Sequence, residues 1–135
     1  MLVSADEIVI VAAPELASLR NVKNLHDTLR TSRPNDRAPK VVLNQVGLPK
    51  RPEIAPSEFA AALSTSLSAV LPFDGHLFGT AANNGQMIAE MQPSGKVAEA
   101  FAELAAAVTG KADHKSGRAR LFEPLLAKLS WRKAS

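Results

Sequence analysis

Three short apolar runs, each closed by a polar or proline-bearing turn, leave this chain few folds to choose from. They are "EIVIVA" at residues 7–12, "KVVLNQV" at 40–46 and "LSAVLPF" at 67–73. Their β-branched, near-continuous apolar character predicts strands covered on both faces, as in parallel sheets. Helical signals fill the gaps. Pro14 and Glu15 suit a helix start, and Leu16, Leu19, Val22, Leu25 and Leu29 come next at helical spacing. Residues 30–39 hold two prolines and an Asn-Asp pair and read as a loop. Gly47 to Pro56 reads as an exposed connection, and 56–63 as a short helix opened by Pro56. A further short helix is expected over 76–83, stopped by the left-handed turn of Asn83-Asn84-Gly85. Pro93 and Ser94 then open a long alanine-rich helix that Gly110 ends. Strand–helix alternation of this kind implies parallel strands with helical crossovers, an α/β sandwich. Three strands make a thin sheet, so an apolar edge stays open and is expected to pair. Pairing of the first strand across a twofold axis predicts a homodimer.

The chain has 135 residues, the size of one domain. With five Phe, one Trp and no Tyr, its core must come mainly from Leu, Val, Ile and Ala. The absence of cysteine excludes disulfides, thiolate metal sites and a cysteine nucleophile. No apolar run approaches the ~20 residues of a membrane span. Met1-Leu2-Val3-Ser4 lacks the basic start and long apolar core of a signal peptide.

The net charge of +3 is concentrated at the C-terminal end, where Lys111, Lys115, Arg118, Arg120, Lys128, Arg132 and Lys133 face only Asp113 and Glu123. The expected organisation is therefore an α/β body over residues 1–110, a polar linker over 111–119 and a basic amphipathic helix over 120–135. Leu121, Phe122, Leu125, Leu126 and Leu129 would share one face of that helix. Such a helix suits an anionic membrane surface, a partner's groove, its own domain or a second copy.

Ligands of open parallel sheets sit beyond the carboxyl ends of the strands. Three loops occupy that position: Ala13-Pro14-Glu15, Asn44-Gln45-Val46-Gly47 and Pro72-Phe73-Asp74-Gly75. Asn44 is a polar amide closing an apolar strand. Its acceptor and two donors match the edge of a purine base, or else satisfy loop backbone groups. Asp74 suits the N-cap of the next helix. His26, His76 and His114 share no metal-ligand spacing and are expected to face solvent. No Ser-His-Asp arrangement is readable.

The blocks "ADEIVIVAAPELASLRNVKNL", "VVLNQVG" and "VLPFDGHLFGTAANNGQMI" resemble, in order and spacing, the second half of a ParA/MinD-type ATPase domain. More narrowly, they are similar to the CpaE/TadZ pilus-assembly proteins of the Tad (Flp) pilus system. The resemblance covers roughly residues 3–110. It implies half of a P-loop NTPase-like sheet, in a partial three-layer sandwich with a C-terminal amphipathic helix. It also implies an adenine pocket lined by Asn44, Pro72, Phe73 and Asp74. ATP and Mg²⁺ are the cofactors of the intact family domain. No G-x-x-x-x-G-K-[ST] run occurs here, and the phosphate loop and magnesium-positioning aspartate are expected upstream of Met1. The chain alone is therefore expected to hold no cofactor and to catalyse no hydrolysis. The resemblance further implies a cytoplasmic, polar protein peripheral to the inner membrane, with pilus and secretion machinery as partners and nucleic acid not among them. Two rival readings are a generic ParA/MinD partition or site-selection ATPase and a non-enzymatic interaction module on an ATPase-like frame.

Overall fold

The computed structural model describes residues 5–110. The expected linker 111–119 and tail helix 120–135, with Leu121, Phe122, Leu125, Leu126 and Leu129, lie outside the described residues. The element order is β1 (Val9–Ala12), α1 (Leu16–Ser32), β2 (Lys40–Val46), α2 (Pro56–Leu63), β3 (Leu67–Pro72), α3 (Gly75–Asn84), α4 (Ile88–Met91) and α5 (Lys96–Thr109). Chain contacts place a division between two units inside α5, after Leu104. The sheet and its packed helices belong to the first unit.

The strands form one parallel sheet in the order β1-β2-β3. Its register puts Ile10 beside Val41 and Ala12 beside Leu43. Alternation along β2 then separates two cores. On one face Ile10, Ala12, Val41 and Leu43 pack with Val22 and Leu29 of α1 and with Phe59 and Leu63 of α2. On the other, Val42, Ala69 and Leu71 pack with Ala100 and Leu104 of α5. Helices on both faces make this the expected partial three-layer α/β sandwich.

Only β2 meets the expectation of a strand covered on both faces: Val41, Val42 and Leu43 are 0–1% exposed. β1 does not. Ile10 and Ala12 are buried, but Val9 and Val11 stand 36% and 60% exposed. The reason is geometric. They share the second face with Val42, and the apolar residues packed there come from β2, β3 and α5, none of them over β1.

The helix signals hold with local differences. α1 runs three residues into the expected loop, and its arginine-rich end is fastened by Arg33, which bonds Asp36 and the Ala5 carbonyl. Leu16 opens α1 but is exposed, so the buried stripe is Val22, His26 and Leu29. His26 therefore departs from the solvent-facing expectation. Its spacing of four and three residues from Val22 and Leu29 places it on the buried face. α4, a single turn, is an element that the sequence does not announce. Gly85 ends α3 at φ +64° and Gly110 comes after α5 at φ +71°, the left-handed angles expected of helix stops.

Candidate functional site

A cavity of about 250 Å³ opens at the carboxyl ends of β2 and β3, lined by Asn44, Gln45, Pro72, Phe73, Asp74, Gly75 and Phe78. It gathers all four residues singled out at the ends of these strands. The first of the three carboxyl-end loops does not line it. That loop is structural: Pro14 is fully buried, and its carbonyl accepts a 2.8 Å hydrogen bond from the Ile54 N–H.

The cavity exists because the β2–β3 ladder breaks. Residue pairing runs to Leu43 with Val70, then shifts before resuming at Val46 with Pro72. Asn44 and Gln45 fall in this bulge, and Gln45 takes φ +58°. A bulge frees residues from the ladder and re-aims their side chains. Beyond it the Phe73 N–H donates to the Val46 carbonyl at 2.8 Å and closes the strand ends together.

Within the bulge, Asn44 Oδ1 accepts a 2.9 Å hydrogen bond from the Gln45 N–H. This is the backbone-satisfying role foreseen for the residue, and it uses the oxygen alone. Asn44 Nδ2 has no hydrogen bond among the described residues and remains a donor.

Asp74 caps α3: its Oδ1 accepts from the Leu77 N–H at 2.8 Å. Pro72 and the 41%-exposed Phe73 supply apolar wall. The Phe73 ring lies against Gly75, where an added Cβ would meet Cζ at 3.2 Å, so a side chain there would press on the ring.

Gln45, Gly75 and Phe78 complete the lining; the first two belong to the carboxyl-end loops named from the sequence, though not to the expected adenine-pocket set, and Phe78 belongs to neither. For Phe78 a signal existed. It lies four residues after Asp74 and so returns to the same side of α3. Gln45 carries no comparable signal, because its role depends on the bulge.

The loop after β2 is more ordered than its glycine and three prolines suggest. Glu53 accepts from the N–H groups of Gly47 at 2.9 Å and Leu48 at 3.1 Å, and from Arg51 at 2.8 Å. The Gly47 N–H first, and the Arg51 guanidinium second, hold the Glu53 carboxyl below its ordinary value. Arg51 also bonds the Gln45 carbonyl and, at 3.3 Å, Gln45 Oε1.

A larger cavity, about 520 Å³, lies at the amino ends of the strands, between the start of β1 and the end of α1. Several of its charges are paired, Glu7 with Lys40 and Arg37 and Arg33 with Asp36, while Asp6 and Arg30, also in its lining, form no ion pair among the described residues. The Lys40 hydrogen bond, aided by Arg37, lowers the Glu7 pKa. Of these two cavities, the smaller has the aromatic wall.

The described residues fit a base and not a phosphate chain. A flat heterocycle matches the Phe73 wall and the Asn44 amide. Among the described residues no group of three His, Cys, Asp or Glu could hold a metal.

Open parallel α/β sheets take their ligands beyond the carboxyl ends of the strands, which is where this cavity lies. No protein-family model and no curated protein sequence matches the chain. Among solved structures it is similar to the cell-division ATPase MinD of Pyrococcus furiosus, with a TM-score of 0.65 and 24% identity over 82% of this chain and 45% of that one. It is similar to MinD of Aquifex aeolicus, with a TM-score of 0.64 and 19% identity over 81% and 46%. A ParA-family ATPase from Chlorobium tepidum aligns at a TM-score of 0.55 and 20% identity over 76% and 40%. The fold is thus similar to part of the fold of these ATPases, and the chain spans less than half the length of these structures.

Proposed function

We propose that this chain supplies the base-binding half of a ParA/MinD-type ATPase domain. The observation that carries this reading is the cavity joining Asn44 with Pro72, Phe73 and Asp74 at adjacent strand ends. In it the Phe73 ring and Pro72 would flank adenine, and Asn44 Nδ2 would donate to a ring nitrogen. Asp74 holds the wall by capping α3. ATP and Mg²⁺ would be the cofactors of the whole domain, with phosphate-binding groups from outside this chain. Phosphoryl transfer rests on backbone amides, a lysine and Mg²⁺ around the phosphates. By itself the chain would not hydrolyse ATP.

Within that class, the three blocks at residues 5–25, 41–47 and 70–88 support a CpaE/TadZ-like role in placing the Tad (Flp) pilus and secretion machinery. This reading includes a cytoplasmic, polar location, pilus-machinery partners and a homodimer through the open β1 edge. No helix among the described residues is long and apolar enough to cross a membrane, so membrane contact would be peripheral and made by the tail. Nucleic acid is not an expected partner. A second reading, a generic site-selection or partition ATPase, is favoured by the solved neighbours being MinD and ParA proteins.

The test is a calorimetric titration of ATP–Mg²⁺ into this chain beside a longer chain carrying the rest of the sheet and a phosphate loop. Base contacts alone would reach only about millimolar affinity, near −4 kcal/mol. Tight binding restricted to the longer chain is the expected result. No binding by either would leave Asn44 and the Pro72-Phe73-Asp74 turn as structural residues.

A further inference from the structure

Of the residues that line the cavity, Gln45 is held at two points by Arg51, which lies outside the lining. Its guanidinium bonds the Gln45 carbonyl through Nη2 and Gln45 Oε1 through Nη1. The Nη2 group is also held by Glu53, whose carboxylate is anchored on the Gly47 and Leu48 N–H groups. Arg51 is half-buried, with its side chain 16% exposed. Gln45 needs such a hold, because a φ of +58° is uncommon for a residue with a Cβ. From Gln45 the chain of contacts continues to Asn44, whose Oδ1 accepts the Gln45 N–H.

We propose that Arg51 is the positioning residue of the Asn44 cavity, acting through Gln45. The proposal rests on the base-pocket reading above. Its consequence is a polarity for the site. The Gln45 oxygen is occupied by Arg51 and the Asn44 oxygen by the Gln45 N–H. Each oxygen keeps a second lone pair, so these bonds fix which way the two side-chain amides turn and do not remove their acceptors. Their N–H₂ groups are left as donors for the acceptor nitrogens or carbonyl oxygens of a heterocycle edge. The planar fork of an arginine is required, since a lysine cannot reach two oxygens of one residue in fixed geometry.

The experiment tracks the side-chain and backbone amide resonances of Asn44 and Gln45 by NMR in the 135-residue chain. Adenosine monophosphate is the probe and ribose 5-phosphate the control for the phosphate. In the parent chain the nucleotide should move both side-chain amide resonances saturably, and the control should not. Arg51→Met and Arg51→Lys should each weaken nucleotide binding about fivefold, the cost of an amide that is no longer pre-ordered. Both should also speed hydrogen exchange at the Gln45 N–H before any ligand is added. Unchanged affinity and exchange in both variants would overturn the positioning role and leave the base reading standing. A parent chain that does not respond to the nucleotide would overturn both. Should Arg51→Met fail to fold, Arg51→Lys keeps the charge and most of the stem and carries the test.

Discussion

Asp74 separates two roles that one residue can hold, and its replacement tells them apart. The Asp74 side chain accepts from the Leu77 N–H at 2.8 Å, and Leu77 is 3% exposed. Water has little access to that donor once the oxygen is gone. Loss of a helix cap costs about 0.5–2 kcal/mol, and a buried donor without a partner costs about 1–3 kcal/mol. Asp74→Ala should therefore lose about 1.5 kcal/mol. For a body of this size that is a fall in Tm of roughly 6–12 °C. Asp74→Asn keeps an acceptor of the same reach and should stay within about 0.5 kcal/mol of the parent, because Asn and Asp cap about equally well. The assay is urea unfolding read by far-ultraviolet circular dichroism, since the one tryptophan, Trp131, is far along the chain. A cap effect moves the midpoint and leaves the slope unchanged. Equal losses in both variants would refute the argument, because they would make the charge, not the accepted hydrogen bond, the source of stability. A loss below about 0.3 kcal/mol in Asp74→Ala would refute it as well.

Three further outcomes are expected. Phe59 is fully buried where α2 meets the sheet, so Phe59→Ala should cost about 3–5 kcal/mol and leave a large unfolded fraction in urea titrations near room temperature. The lowered Glu53 pKa is a stability term present above its ordinary value of 4.5. It is lost as pH falls through the lower folded value, so the parent chain should lose midpoint stability on acidification below about 4.5 and Glu53→Gln should lose less of it. Val11 is exposed on the uncovered face of β1. Val11→Lys should leave thermal stability nearly unchanged while abolishing self-association in sedimentation; a parent chain that is monomeric at high micromolar concentration would remove the homodimer from the reading.

What was legible in the sequence was whatever a single element decides for itself. The β2 bounds, the Pro56 helix and the Gly85 stop all arise from local chemistry. Residues 41–43 are apolar and Asn44 ends the run, proline fits the first turn of a helix, and glycine adopts a positive φ without strain. What was not legible depended on neighbours. "EIVIVA" is as apolar as the central strand, and nothing within it says that Val9 and Val11 lack a covering helix. His26 reads as a surface histidine because its type is polar, yet its place on α1 keeps to the Val22 and Leu29 stripe. The bulge at Asn44-Gln45 is also a relation between two strands. Its left-handed Gln45 carries no glycine to announce it, and Arg51, six residues on, makes it tenable.

The same distinction explains why the candidate site is half legible. Asn44 and Pro72-Phe73-Asp74 could be found because each closes a strand, and a parallel sheet brings adjacent carboxyl ends together whatever the intervening helix does. The register then requires them to meet: Val46 pairs with Pro72, so the residues flanking that pair face one another across the strand ends. Their separation in sequence, from 44 to 72, is only the length of one crossover. A β-strand–helix–β-strand unit is therefore enough to assemble a base-sized cavity. It is not enough to bind a nucleotide tightly, because the triphosphate carries most of the charge that backbone amides, lysine and Mg²⁺ would recognise. On the proposed reading, base selection and phosphate grip would be separable along such a chain, and this one would carry the first.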